Sequence, residues 1–374
     1  MQKKLIALAV AGLASGAAIA QTNVTIYGIA DAGYIYSSGG TPTGVPGTYT
    51  FSGIQSGLLS GSRLGFKGEE ALGNGLKAIF TLEYSLTIDN NTGIGSTGGL
   101  NARQQFVGLS SDKLGTVALG RQYAPGYGAT VRNDAFSGAV FAPQSFLSAQ
   151  GGNTITPNSP ARWDNAVSYA SPNWTGFTAS AIYGFGESSL GGYNNASTSD
   201  NGKFGIGGNY ANGPINLDLV YQTRQNVVTS FPTPITQGND INEYYIGGSY
   251  DFKMAKVMGS WQQQNDKNSA NLDNSVWSLG VVVPVLAASN IHFSYAQLLW
   301  DQGKILGIPG TGLNNNSQSA ALGWTTNMSK RTTLYAGYVW TKNDNNSTGN
   351  GPVAGIGAPG ETNNTFLAGV RHAF

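Results

Sequence analysis

Three arginines stand opposite to the apolar residues of their own segments. Arg63 precedes Leu64 and Phe66 and shares its parity with Gly65 and Lys67; Arg103 alternates with Gln104 and Phe106; Arg162 opposes Trp163, Val167 and Tyr169. Side chains of an extended chain alternate between two faces, so three segments bring three guanidinium groups to one common face. Arginine keeps its charge at any physiological pH, and a ring of such groups selects ions by sign. Arg121 reads differently. It shares parity with Val117 and Leu119 and falls on the apolar face unless Gly120 marks a bulge, and a bulge or a strand-end position is expected because charge on that face is costly. The opposing acids are Asp134, the only acid between Ala124 and Ala161, Asp164 in phase with Arg162, and Glu83 farther along its segment, while Lys67 and Lys77 add positive charge.

Catalytic chemistry finds little to work with. A hydrolase needs a general base beside a nucleophile or an activated water, and the chain has two histidines. His372 shares the phase of Val370 and Phe374 on the apolar face, and His292 lies in a strand beside an alternating aromatic set; neither has a partner at signature spacing. Zinc-ligand spacings, phosphate-binding glycine loops and nucleophile elbows are missing in any supporting context, and Gly-x-Gly pairs carry little weight among 54 glycines. The reading is no enzyme, no cofactor and no metal.

The arginines must be positioned by strands. Segment after segment runs about ten residues with period-two alternation. Trp277, Leu279, Val281 and Val283 oppose Ser278, Gly280 and Val282; Ala320, Leu322 and Trp324 oppose Ser319, Ala321 and Gly323; Leu334, Ala336, Tyr338 and Trp340 repeat the pattern. Short turns at Leu72–Gly75, Asp112–Gly115, Asn173–Gly176, Ala211–Gly213 and around Lys253, Ala287 and Lys330 interleave with long loops at 37–60, 88–101, 124–160, 187–202, 226–241, 265–274, 302–316 and 342–363. Seven turns and eight loops join sixteen strands.

Only 10% of residues are charged, against roughly 25% in soluble domains, and the face opposite the apolar one is Gly, Ser, Thr, Ala and Gln rather than Lys and Glu. Lipid outside and a wet lumen inside account for both, since a bilayer permits no open sheet edge. The expected fold is all-β: a sixteen-stranded antiparallel transmembrane β-barrel with short turns on one side, long loops on the other, and aromatics such as Tyr34, Tyr36, Phe252, Trp300, Trp340 and Phe374 in the interfacial girdles. Eighteen tyrosines, fifteen phenylalanines and seven tryptophans argue against disorder, and a net charge of +1 argues against nucleic acid as a partner.

Lys3 and Lys4, the apolar run Leu5–Ile19 and the small-x-small site Ala18-Ile19-Ala20 form a secretory leader, residues 1–20, ahead of a single barrel domain, residues 21–374. With no cysteine, the exported chain depends on backbone hydrogen bonds and packing.

Several stretches resemble the Gram-negative general porins, in particular the β-proteobacterial branch of sixteen-stranded trimeric porins. They are Val24-Thr25-Ile26-Tyr27-Gly28-Ile29-Ala30-Asp31, the hairpin Ser62-Arg63-Leu64-Gly65-Phe66-Lys67-Gly68-Glu69-Glu70-Ala71-Leu72-Gly73-Asn74-Gly75-Leu76-Lys77-Ala78, Leu119-Gly120-Arg121-Gln122, Asp164–Asn173 and the ending Gly369-Val370-Arg371-His372-Ala373-Phe374. Their order and spacing agree across residues 21–374. The resemblance implies an outer-membrane homotrimer in contact with lipid and lipopolysaccharide, each protomer passing small hydrophilic solutes by diffusion. It implies a third loop, about 124–160, folded inward as a constriction, Arg63, Arg103 and Arg162 facing it with Arg121 less securely placed, Asp134 as the loop's acid, and Phe374 as a signal to the outer-membrane assembly machinery. Asp134 stands in Arg132-Asn133-Asp134-Ala135-Phe136-Ser137-Gly138, where enteric porins carry a Pro-Glu-Phe-Gly-Gly-like stretch, so the acidic side of the transverse field is weak. The expected function is a passive channel preferring anions; a sugar- or organic-anion-specific channel is the alternative, and a receptor or adhesin role of the loops stays compatible with either.

The leader reading predicts a mature chain that starts at Gln21 in the outer-membrane fraction. Intact-mass measurement checks it, and retention of residues 1–20 in the membrane-embedded form contradicts it.

Overall fold

The computed structural model describes residues 23–40, 49–90, 100–186, 199–227, 238–268, 272–301, 316–344, 347, 351–352 and 360–374; the expected leader and parts of most long loops lie outside the described residues. Seventeen strand segments follow one another: β1 (Asn23–Gly39), β2 (Tyr49–Ser56), β3 (Arg63–Gly73), β4 (Leu76–Ser85), β5 (Ala102–Ser111), β6 (Gly115–Tyr123), β7 (Arg162–Ala170), β8 (Phe177–Gly184), β9 (Lys203–Asn212), β10 (Ile215–Val227), β11 (Asn239–Asp251), β12 (Lys256–Asp266), β13 (Asn274–Leu286), β14 (Ser289–Trp300), β15 (Ser317–Asn327), β16 (Thr332–Asn343) and β17 (Thr362–Ala373). Antiparallel pairing of neighbours runs around the sheet, and β17 returns to β1 from Ile29 opposite Ala373 to Ser38 opposite Asn364.

Both β2 and β3 pair with β1, from Gly39 opposite Tyr49 to Ala32 opposite Ser56 and from Ile29 opposite Arg63 to Asn23 opposite Glu69. They are two halves of one barrel strand, interrupted at 57–62, so seventeen segments close a sixteen-stranded antiparallel barrel. The loop expected over 37–60 is corrected accordingly: β1 continues to Gly39 and residues 49–56 are strand. Gly and Ser within these short stretches, beside a Gly/Pro/Thr-rich run, hide the alternation. All seven short turns fall where expected. Asn74 and Gly75, with φ of 52° and 76°, adopt the left-handed pair that a two-residue hairpin requires.

The outer face carries Leu219, Ile246, Leu279 and Leu322, each more than half exposed, while Ser278, Ser294, Ser319 and Thr341 are buried inside. No helix among the described residues is long and apolar enough to cross a membrane; the strands do. Phe374 closes the seam by reciprocal backbone bonds with Gly28, 3.1 Å each way, and its ring covers the space that a Cβ on Gly28 would need.

The third loop leaves β6 and returns at β7 after crossing the interior. Helix α1 (Pro125–Arg132) packs against β8 to β11 and helix α2 (Pro143–Gln150) against β13 to β15, each with a proline in its first turn, where the missing N–H costs nothing. Two buried carboxylates on the wall hold it. Asp218 accepts from Arg132 Nη2 (2.5 Å) and Asn133 Nδ2 (2.8 Å), and Glu243 from the backbone N–H groups of Thr154 (2.7 Å) and Ile155 (2.9 Å). Between the helices Ala135, Phe136, Ala139 and Phe141 join Met258, Ala321, Tyr335, Val339 and Leu367 in an apolar cluster, so this part of the inner face is dry rather than small and polar.

Asp134 opens the tight turn at 134–138 and accepts from Gly138 N at 2.7 Å, with Ser137 and Gly138 at positive φ. Burial pushes its carboxyl up to about 6 from an ordinary 3.8, partly offset by the N–H groups of Gly138, Phe136 and Ala135. A raised carboxyl pKa gives stability that is complete below the ordinary value and lost as pH rises through about 6. Asp134→Asn therefore gains on the parent at pH 7.5, by up to about 3 kcal/mol, and by little at pH 4. Denaturant unfolding of refolded protein at both pH values checks this; parallel pH profiles of parent and variant defeat it.

Candidate pore constriction

The three arginines predicted to share a face do meet. Arg63 opens β3 directly after the interruption, Arg103 is the second residue of β5, and Arg162 opens β7 after a single 3-10 turn, Ser159–Ala161. Arg162 lies where the third loop rejoins a low stretch of wall, β6 to β8 being only 9, 9 and 8 residues long. Arg63 stands within a barrel strand, where it resumes as β3, and Arg103 and Arg162 stand at the starts of theirs.

Glu83 of β4 sits among them. It accepts from Arg103 Nε at 2.7 Å and Tyr27 OH at 3.1 Å, and Arg63 Nη1 stands 3.9 Å away. Arg103 also donates from Nη2 to Tyr123 OH at 3.0 Å. The Tyr123 ring stacks on Tyr127 of α1 at 3.7 Å between centroids and lies under the Arg162 guanidinium at 5.6 Å. Arg63 donates from Nε to the Gly61 carbonyl (2.8 Å) and from Nη2 to Ser60 Oγ (2.9 Å). Three positive groups against one carboxylate leave a local charge of +2.

Arg121 does not join them. Gly120, at φ 130°, sits at a register break between β6 and β7, but the extra residue lies in β7 and β6 keeps its register with β5, so the bulge expected at Gly120 is corrected to residues 164 and 165. Past that break Arg121 donates to the Ala102 carbonyl (3.0 Å) and to Asp164 (2.5 Å), tying β5, β6 and β7 together. Asp164, 76% exposed, is thereby spent on Arg121 rather than facing Arg162, in a bulge where Asp164 and Asn165, the latter at φ 50°, stand opposite Arg121 alone. Asp134 is likewise corrected: the turn at Gly138 takes its carboxylate, and Ala135 beside it hydrogen-bonds His292 across the barrel, 2.8 Å from carbonyl to Nδ1. Glu83 is the acid that faces the arginines, more centrally than its position along the strand suggested. Tyr27, Tyr123, Tyr127, Ser60 and Gly61 went unread; only Tyr27, in phase with Thr25 and opposite to Ile26, carried a legible sign.

Among the described residues no cluster of His, Cys, Asp and Glu could hold a metal. The permanent charges lining a closed, loop-narrowed lumen suit ion and solute passage. Comparison with known proteins agrees. A family model described as Gram-negative porin matches residues 7–346. Outer membrane porin protein 32 of Delftia acidovorans is 33% identical over the full length of both chains, and an outer membrane porin protein of Bordetella pertussis is 29% identical over 92% of this chain and 95% of its own. The solved structure of an anion-selective porin from Comamonas acidovorans superposes with a TM-score of 0.74 at 28% identity, covering 95% of this chain and all of the other. With the barrel, its inward loop and this full-length likeness in agreement, the chain belongs to the Gram-negative porin family, whose place is the bacterial outer membrane.

Proposed function

We propose that small hydrophilic solutes diffuse passively through this barrel and that anions pass preferentially. The observation that carries the reading is the +2 imbalance at Arg63, Arg103, Arg162 and Glu83. In a narrow passage every ion travels within a Debye length of these groups, about 8 Å at physiological salt, so screening is incomplete. A residual of about 1.4 kcal/mol between anion and cation already gives tenfold selectivity. The Comamonas acidovorans relative, an anion-selective porin, supports the same sign. Membership of the porin family favours a channel over an enzyme, and both histidines make wall contacts, His292 with Ala135 and Thr325 and His372 with Thr332. The stacked Tyr123–Tyr127 pair beside Arg162 favours one second reading, a channel that retains cyclic organic acids; block of conductance by millimolar organic acid separates it from free diffusion.

The remaining expectations belong to the same proposal: export by cleavage of residues 1–20, a homotrimer embedded among lipids and lipopolysaccharide, and Phe374 as the assembly signal. For the trimer, the native mass of a detergent extract is expected near three chains; a monomer mass rejects it. For the arginines, Arg63→Ser with Arg162→Ser is expected to move the reversal potential in a salt gradient toward cations, erasing an anion preference of up to about tenfold, and to raise the flux of bulky solutes. An unchanged reversal potential in the double variant, or cation preference in the unmutated protein, defeats the reading.

A further inference from the structure

Asp31 is fully buried in β1, and ion passage makes no direct use of it. Its surroundings show another task. The hexapeptide 57–62, where one barrel strand is cut into β2 and β3, is wrapped around this residue. Gly57 N donates to the Asp31 carbonyl (2.7 Å), Leu59 N and Ser60 N donate to Oδ2 (3.1 and 2.6 Å), and Asp31 N donates to Ser62 Oγ (3.0 Å). The other carboxylate oxygen, Oδ1, accepts from Tyr335 OH at 2.6 Å.

Tyr335 belongs to β16 and reaches Asp31 across β17. Gly33 and Gly369 make this possible. They face each other in the β1–β17 register, and a Cβ on either would run into the Tyr335 hydroxyl. A paired-glycine trough in the wall thus seats the phenol that holds the carboxylate.

The hexapeptide in turn faces the passage and the third loop together. Leu58 is buried against the cluster that includes Phe141, and its carbonyl accepts from Val140 N at 3.3 Å. On the other side Ser60 Oγ and the Gly61 carbonyl hold the Arg63 guanidinium, and Gly61 lies against Arg103, whose Nη1 would be 3.1 Å from an added Cβ. Arg63 is therefore gripped by the hexapeptide and stands 3.9 Å from Glu83 instead of closing on it.

We propose that residues 57–62 form a second wall of the constriction, in contact with the third loop, and that Asp31 and Tyr335 are positioning residues for selectivity: neither touches the solute, yet together they aim Arg63. The sign of the effect rests on the anion reading above. Released from Ser60 and Gly61, Arg63 collapses onto Glu83, its charge is neutralised, and the passage widens on that side.

The experiment is planar-bilayer recording of Asp31→Ala and Tyr335→Phe, each alone and in an Arg63→Ser background, on variants that keep the heat-modifiable folded band. Asp31→Ala is expected to lower the anion-to-cation permeability ratio about twofold and to raise conductance; Tyr335→Phe, which removes one oxygen and serves where the alanine variant fails to assemble, shifts both in the same direction by less. In the Arg63→Ser background neither change moves the reversal potential further. A structural role alone would give equal shifts in both backgrounds, and that result, or no shift in either, overturns the proposal. Should the unmutated channel prefer cations, the anion reading fails, while the aiming role still stands or falls on the loss of coupling in Arg63→Ser. Because the chain has no cysteine, Ser60→Cys offers an independent readout. A sulfonate-bearing thiosulfonate should lower the anion preference and a trimethylammonium-bearing one raise it; modification of either sign that leaves the reversal potential unmoved shows residue 60 to lie off the passage and overturns the second wall.

Discussion

A sheet in hydrocarbon can leave no backbone group unpaired, and everything else in this molecule follows from that requirement. Closure through β1 and β17 satisfies the ladder and removes the edges, but it also leaves a lumen that strand side chains alone do not fill. Most apolar side chains of the strands face outward, and those that face inward are covered by polypeptide folded back into the barrel. The third loop and the hexapeptide 57–62 are those insertions, and they touch each other at Val140 and Leu58. Both lie beside the arginines of β3, β5 and β7, the hexapeptide through Ser60 and Gly61 and the third loop through Tyr127.

Inserted polypeptide brings unpaired N–H groups into a partly dry space, where each lost bond costs about 1–3 kcal/mol. Carboxylates answer, three from the barrel wall and one, Asp134, from the loop itself. Asp31 accepts backbone N–H groups of the hexapeptide, Glu243 those of Thr154 and Ile155, and Asp134 that of Gly138, while Asp218 takes Arg132 and Asn133. Four interior acids are thus consumed as mortar. Their negative charge is screened by the chain they hold and is withdrawn from the solute's path, while the arginines remain beside it. The positive balance around Arg63, Arg103 and Arg162 is in this sense a by-product of how the insertions are fastened.

Sequence reading recovered whatever follows from period-two alternation: the strand number, the turns, the faces, and the convergence of Arg63, Arg103 and Arg162. It failed wherever alternation breaks. The bulge at Asp164 and Asn165 leaves Asp164 beside Arg121, which braces β5, β6 and β7. The hexapeptide passed for loop because a strand interrupted for six residues and then resumed leaves no periodic trace. Asp134, the loop's only acid, could have faced the arginines or capped its own turn. That choice depends on the local geometry of Ser137 and Gly138, which composition does not encode.

Glu83 shows why the cluster is not simply as positive as possible. Two like charges 4 Å apart repel by about 4 kcal/mol at an effective dielectric constant near 20, so three guanidinium groups sharing a throat would splay apart or drive the wall outward. One carboxylate touching Arg103, near Arg63 and bonded to Tyr27 holds the group together at the cost of one unit of field. Tyr123 supplies the rest without charge: its hydroxyl accepts from Arg103 and its ring carries Arg162. A neutral ring and a single acid thus let three cations stand close enough to be felt by one passing ion. Arg63 is meanwhile held 3.9 Å from Glu83 by its own bonds to Ser60 and Gly61, so position as well as charge count sets how the group is balanced.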